Sequence, residues 1–346
     1  MKYNSLLVTG GCGFIGSNFI RRTLAQTNAR IVNLDKLTYA GNTANVADIA
    51  GNPSYSFIHG DICDGRTVHA IIHEHAIDCI VNFAAETHVD RSIANAAPFI
   101  ATNISGVQIL LDEARRANVK RFLQISTDEV YGSQHDGENA DEFAPLQCGS
   151  PYSASKASAD LLCRAYWKTY QFPVVITRCT NNFGPFQHPE KLIPLAISRA
   201  LAGNEIPVYG DGLQRRDWLY VEDHCEALLT VIEKGIDGEV YNIGTGYQRT
   251  NVEVINSLLH ATGITAQLIR HVQDRPGHDR LYAVDAAKIH RLGWRQKHSF
   301  EQGIVDTVAW YRANGAWMKE ILSGEYSQYF AKQYNELQGH GVLEKD

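Results

Sequence analysis

The feature that most constrains this chain is a glycine turn near its start. Gly10-Gly11-Cys12-Gly13-Phe14-Ile15-Gly16 follows the strand-like run Leu6-Leu7-Val8-Thr9 and opens a helical pattern. Glycines at 10, 13 and 16 permit a tight turn with close backbone approach, and the helix N-terminus offers free N–H groups to a pyrophosphate. The strand-turn-helix context weighs against a glycine turn without a ligand. Asp35 ends the next strand pattern, nineteen residues past Gly16, where a carboxylate can accept hydrogen bonds from adenosine ribose hydroxyls and would repel a ribose phosphate. NAD is therefore expected in preference to NADP. Asp61-Ile62, after the third strand pattern, would flank the adenine, with a plain turn carboxylate an equal reading of Asp61. Phe83-Ala84-Ala85 would line the cofactor after the fourth.

The first half alternates short strand-like runs (6–9, 31–35, 57–60, 79–84, 122–126) with helical patterns (15–26, 99–117). That alternation predicts βαβ units around a parallel sheet. A further helix is expected to open near Tyr152 with Leu161, Leu162 and Tyr166 on its buried side, followed by a strand over 174–178. After about Gly184 prolines recur at 185, 189, 194 and 207 and the elements shorten. The expected fold is α/β: a doubly wound Rossmann domain over 1–182, rejoined by about 215–250, and a smaller, discontinuous substrate lobe made mainly of 183–346.

A hydrophobic share of 44% suits a packed core, and a net charge of −6 without basic runs argues against a nucleic-acid or membrane-surface partner. The seven cysteines (12, 63, 79, 148, 163, 179, 225) are odd in number and lack any C-x-x-C pair, which predicts reduced thiols and no zinc site. The first residues do not read as a signal peptide, and no apolar run reaches membrane-spanning length. A cytoplasmic protein is expected.

Chemistry is announced by Thr127-Asp128-Glu129 and by Tyr152-Ser153-Ala154-Ser155-Lys156. A Tyr and a Lys four apart on a helix share a face, so the ammonium can lower the phenol pKa from about 10 and ready it to take a hydroxyl proton. That suits alcohol oxidation. The two carboxyl groups are surplus to an oxidation and suggest a second step needing one acid and one base, such as elimination of water. Asp128 must then hold its proton near neutrality while Glu129 begins ionised. Two solvated loop acids are the alternative.

These motifs, with residues 35–42, 83–92, 178–185, 190–194, 208–212, 215–218, 241–246 and 275–279, resemble the extended short-chain dehydrogenase/reductase superfamily, and within it the dTDP-glucose 4,6-dehydratase family. The likeness spans nearly the whole chain. It implies that Tyr152 deprotonates a glucose C4 hydroxyl as hydride passes from C4 to NAD, with Thr127 bonded to the same oxygen and Lys156 holding the ribose. Glu129 would then remove the C5 proton while Asp128 protonates the departing C6 hydroxyl. Hydride return to C6 would give a 4-keto-6-deoxy sugar and regenerate tightly held NAD. The resemblance adds Phe14, Ile15, Lys36, Leu37, Thr38, Thr102 and Asn182 to the cofactor site. It places Thr87, Asn181, Lys191, Leu192, Pro207, Val208, Tyr209, Arg216, Asn251, Arg275 and His278 against the nucleotide sugar. Arginine and lysine can clamp a diphosphate, and Tyr209 offers an aromatic surface to a pyrimidine. His88 receives no role.

Phe183, Phe186, Cys12 and Gln214 depart from common family residues, which leaves room for an altered sugar nucleotide. A UDP-sugar 4-epimerase would share the cofactor turn and the Tyr/Lys pair, and a UDP-glucuronate decarboxylase often keeps the Glu but carries Ser in place of Asp, so Asp128 discriminates. A non-catalytic NAD-binding scaffold is the reading from another class. A homodimer through a four-helix contact is implied, using helices over 98–117 and 152–170.

Overall fold

The structure is a computed structural model that describes residues 1–264, 266–274 and 276–323, so Arg275 lies outside the described residues. Seven strands form the main sheet: β1 (Ser5–Thr9), β2 (Arg30–Asp35), β3 (Tyr55–His59), β4 (Cys79–Asn82), β5 (Arg121–Thr127), β6 (Val174–Cys179) and a late-returning strand, Val240–Ile243. Their order is β3-β2-β1-β4-β5-β6 and then the late strand, and every pairing is parallel. The order reverses between β1 and β4, and ligand crevices in open α/β sheets lie outside the carboxyl ends of the strands at such a point.

Both faces of this sheet are covered, as near-continuous apolar strands require. Because strand side chains alternate, Leu6, Val8, Val81, Leu123 and Val175 enter one core, while Leu7, Val32, Ile80, Phe122 and Ile176 enter the other. The β1, β4 and β5 strands are also stitched by buried polar groups: Thr9 Oγ1 donates to Asn82 Oδ1 (2.6 Å) and Asn82 Nδ2 to Gln124 Oε1 (2.8 Å).

The Pro151–Tyr170 helix opens on a capping box, with the Ser150 hydroxyl accepting from the Ser153 N–H and Pro151 in the first turn. Tyr152 and Lys156 are therefore fixed in its first two turns. Leu162 and Tyr166 pack against the core, but Leu161 is 54% exposed, contrary to expectation. One residue before Leu162, it is turned about 100° away from the core-facing stripe. The expected 99–117 helix is interrupted: Ala97–Ile100 and Val107–Arg116 flank a π-helical segment, Ala101–Gly106. That widened turn inserts the Asn103 side chain between the Glu86 backbone (2.9 and 3.0 Å) and Ser155 Oγ (2.8 Å).

The later residues build a second core around helices Leu192–Leu201, Asn251–Thr262 and Phe300–Ala313. Strand β7 (Asn181–Phe183) pairs with β8 (Arg215–Tyr220), which carries Gln248–Thr250 on its other edge, and Ile206–Tyr209 pairs with Ile269–Val272. Among the described residues no helix is long and apolar enough to cross a membrane.

Candidate active site

One cleft runs across the carboxyl ends of β1, β2, β4, β5 and β6 and gathers most of the residues singled out above. Gly10, Gly13, Phe14, Ile15, Gly16, Asp35, Lys36, Thr38, Asp61, Ile62, Phe83, Ala84, Ala85, Thr102 and Asn182 line it, as do Thr87, Thr127, Asp128, Glu129, Tyr152, Lys156, Asn181 and Lys191. Leu37 is set back. It packs on the core and holds a φ of 54°.

The glycine turn is built for close approach. Gly10 has a φ of 70°, and a Cβ there would meet the Ala84 nitrogen at 2.7 Å; at Gly16 a Cβ would lie 2.4 Å from the Gly10 carbonyl oxygen. Gly13 differs, since a Cβ there would meet only the Gly10 oxygen, at 3.2 Å, and otherwise point into open space. The N–H groups of Phe14, Ile15 and Gly16 are first-turn donors with no carbonyl partner inside their helix. Asp35 fastens the turn to its own loop, accepting from the Cys12 N–H and the Leu37 N–H at 2.8 Å each. Lys36 Nζ pairs with Asp61 Oδ2 at 2.7 Å on the rim.

These features fit NAD: an anion-ready helix end, a carboxylate closing β2, and buried polar atoms on the cleft wall, Thr180 Oγ1 and Asn182 Oδ1, that have no hydrogen-bond partner within the protein.

At the end of β5 the chain turns into a short 3₁₀ segment, Asp128–Tyr131, capped by Thr127 Oγ1 accepting from the Glu129 N–H at 3.3 Å. The turn drives Asp128 inward, to 3% exposure, and leaves Glu129 half-buried. Burial, then the charges of Glu129 and Asp217, push the Asp128 carboxyl well above the usual carboxylate range, against the opposing field of Arg216. That direction favours the protonated form, the one an elimination step would need from its acid. Its Oδ2 has no protein partner, while Oδ1 accepts from the Thr127 hydroxyl at 3.3 Å.

The Tyr/Lys pair departs from expectation. Tyr152 is buried, and burial followed by the negative field of Glu129 holds its phenol well above 10, with a hydrogen bond from Thr127 opposing. Lys156 is buried too, and its ammonium donates to the Ile125 carbonyl at 2.5 Å. Burial lowers its pKa, opposed by Asp160 four residues on. Sharing a helix face brings the two side chains to one wall without lowering the phenol pKa. Asp160 is engaged by Arg178 Nε at 2.8 Å, and Arg178 also donates to Tyr131 Oη at 2.8 Å, a buried ion pair beneath the catalytic wall.

Leu192, Pro207, Val208, Tyr209, Arg216, Asn251 and His278 do not line the cleft. Val208 is buried in the second core, which leaves only its main chain for a ligand. Tyr209 donates to Asp90 at 3.3 Å and packs edge-on to His278, whose Nδ1 meets Asp274 at 2.6 Å. Arg216 lies over the Tyr282 ring and donates to the Arg215 and Asp279 carbonyls at 2.8 Å each. Leu192 and Asn251 open the helices that bear them. His88 is buried at the start of the Val89–Ala94 helix and its carbonyl accepts from the Ser92 N–H.

Sequence reading passed over Glu86, Cys179, Thr180, His188 and Glu190, all in the cleft wall. Burial pushes the Glu190 carboxyl up to about 7 despite Lys191 and Arg91. Its place in the Glu190–Pro194 motif was the only signal.

Residues 7–307 match the family model described as GDP-mannose 4,6 dehydratase. The chain is 48% identical to a dTDP-glucose 4,6-dehydratase of Xanthomonas campestris pv. campestris, covering 92% of this chain and 96% of the relative. It is 52% identical to the low-salt glycan biosynthesis protein Agl12 of Haloferax volcanii, covering 88% and 98%. The crystal structure of DesIV, a dTDP-glucose 4,6-dehydratase from Streptomyces venezuelae with NAD bound, superposes with a TM-score of 0.89 at 48% identity, covering 92% of this chain and 99% of that one. Likeness of this extent, in sequence and in fold, shows the family: the chain belongs to the dTDP-glucose 4,6-dehydratase family, within the extended short-chain dehydrogenase/reductase superfamily.

Proposed function

We propose that this chain is an NAD-dependent hydro-lyase converting dTDP-glucose to dTDP-4-keto-6-deoxyglucose and water, a step of deoxysugar biosynthesis. The observation that carries the reading is Asp128: a buried carboxyl pushed above the usual carboxylate range beside a second carboxyl, at the strand end that also presents Thr127, in the cleft that Tyr152 lines. A 4-epimerase needs no such acid.

NAD, when bound, takes a hydride from the sugar C4 and returns one to C6. The glycine turn, Asp35 and the Asn182 amide hold the cofactor, and Lys156 is its ribose anchor. Tyr152 receives the C4 hydroxyl proton as a phenolate, so its phenol must first give up its own proton, while Thr127 holds that oxygen. The resulting ketone acidifies C5, whose proton Glu129 takes. Asp128 gives its proton to the C6 hydroxyl, which leaves as water. Glu129 then returns a proton to C5, and the proton inventory closes when Tyr152 gives up to solvent the proton it took from C4 and Asp128 takes one back. Thr87, Asn181, Lys191 and the second-lobe residues, Tyr209, Arg216 and His278 among them, form the nucleotide-sugar side, and the division into a 1–182 cofactor domain and a 183–346 substrate lobe belongs to the same proposal.

The reading includes a homodimer. Ile100, Leu161 and Tyr170 are 52–54% exposed on the helices expected to pair, and burying such side chains is worth about 25 cal/mol per Å² of apolar surface. It also includes a cytoplasmic location, because seven free cysteines suit a reducing compartment.

Mass spectrometry of products from dTDP-glucose, UDP-glucose and UDP-glucuronate, without added reductant, tests the function. Loss of one water with no net change in NAD is expected from dTDP-glucose. An isomer of unchanged mass, or loss of carbon dioxide from the glucuronate, would replace dehydration with epimerisation or decarboxylation.

A further inference from the structure

The loop after β2, residues 36–41, forms the cleft wall on the Asp35 side and is only lightly fastened by its own backbone, through Gly41 N–H to Thr38 (2.9 Å) and Asn42 N–H to Cys12 (3.1 Å). Its one aromatic side chain, Tyr39, reaches across to residues 91 and 188. The Arg91 guanidinium lies 3.8 Å from the Tyr39 ring centroid, and the His188 ring meets the same ring edge-on at 5.7 Å. The Tyr39 hydroxyl lies close enough to the Glu190 carboxyl and the Thr87 side chain to interact with both. Arg91 Nε in turn faces Glu190 at 3.7 Å, and Lys191 Nζ donates to the Thr87 carbonyl at 3.1 Å. Two further segments, around 87–91 and 188–190, thus converge on one aromatic ring carried by the cofactor loop.

We propose that Tyr39, clamped by Arg91 and Glu190, is a strap that retains NAD in the cleft between turnovers, and that nucleotide binding tightens it. The inference rests on the dehydratase reading: a cofactor that leaves each cycle in the state in which it entered has no need to be released, so closing its exit does not slow the reaction. Contacts shared between the cofactor loop and the substrate segment make the coupling reciprocal, since a ligand that steadies one side must favour retention on the other.

The test is exchange of bound NAD against excess isotopically labelled NAD in the full-length protein, with and without dTDP as the probe. Tyr39→Phe keeps the ring under Arg91 and removes only the hydroxyl; Glu190→Gln alters the other end of the contact. Each variant is expected to release NAD about three- to tenfold faster, the size of one lost hydrogen bond. Turnover by Tyr39→Phe should fall on dilution and return on adding NAD, which damage to the fold would not allow. In the parent protein dTDP should slow exchange, and in Tyr39→Phe it should do so less. A parent that holds no NAD would refute the dehydratase reading and the strap together. A parent that holds NAD but exchanges it as fast as both variants would refute the strap alone.

Discussion

Replacing Asp128 with Asn isolates the acid of the elimination step. The side chain is 3% exposed, and its one protein contact is with the Thr127 hydroxyl, which an amide oxygen accepts equally well. Shape and packing are retained, and what is lost is an acid whose pKa burial and the fields of Glu129 and Asp217 raise. A positioned general acid contributes about 10²–10⁴ in rate, which corresponds to roughly 3–5 kcal/mol of barrier. Oxidation at C4 uses Tyr152 and Thr127 and should survive. In a single turnover of dTDP-glucose in deuterated water, Asp128→Asn should therefore build up reduced nicotinamide and a sugar that has kept its C6 hydroxyl, with deuterium entering at C5 through Glu129. Loss of water at the parent rate would refute the assignment, because the amide has no proton to give.

Three further outcomes follow from the same geometry. Asp160→Asn strands the buried Arg178 charge and should cost about 3–5 kcal/mol of stability, read as a lowered Tm; an unchanged Tm would mean the pair is not a structural tie. Leu161→Glu, on the exposed helix face, should shift the protein from dimer to monomer in sedimentation experiments, and a dimer that persists would move the interface elsewhere. His224 is fully buried, neither ring nitrogen has a hydrogen-bond partner, and burial lowers its pKa to about 3. The unfolded imidazole, at about 6.5, then binds protons that the folded one refuses, so this stability is complete above that pH and is lost as pH falls toward 3. Between pH 7 and 5 the parent should lose about 2 kcal/mol that His224→Leu does not, in denaturant titrations of both, and parallel pH profiles would contradict it.

The cofactor half was legible because its signals are local. A glycine turn between a strand and a helix and a carboxylate closing the next strand fix backbone shape within a few residues, and Gly10 and Gly16 are confirmed as positions with no room for a Cβ. The parallel sheet followed from alternating runs for the same reason. The second lobe was less legible, since its strands pair across long separations and its nucleotide-side residues are spread over several segments.

By itself the sequence determined which groups could do chemistry: Asp128 and Glu129 adjacent on one turn, Tyr152 and Lys156 on one helix face. Only tertiary structure decided their charge states. The Asp128 carboxyl is pushed up because a 3₁₀ turn buries it beside Glu129 and Asp217 comes in from another strand; the Tyr152 phenol is pushed up by burial and by Glu129, while the Lys156 ammonium is directed to the Ile125 carbonyl. The exposed side of Leu161 and the meeting of Tyr39 with Arg91 and Glu190 are likewise products of packing. Residue identity is local, but a pKa depends on the burial and charge of everything within several ångströms, and that neighbourhood exists only once distant segments have come together.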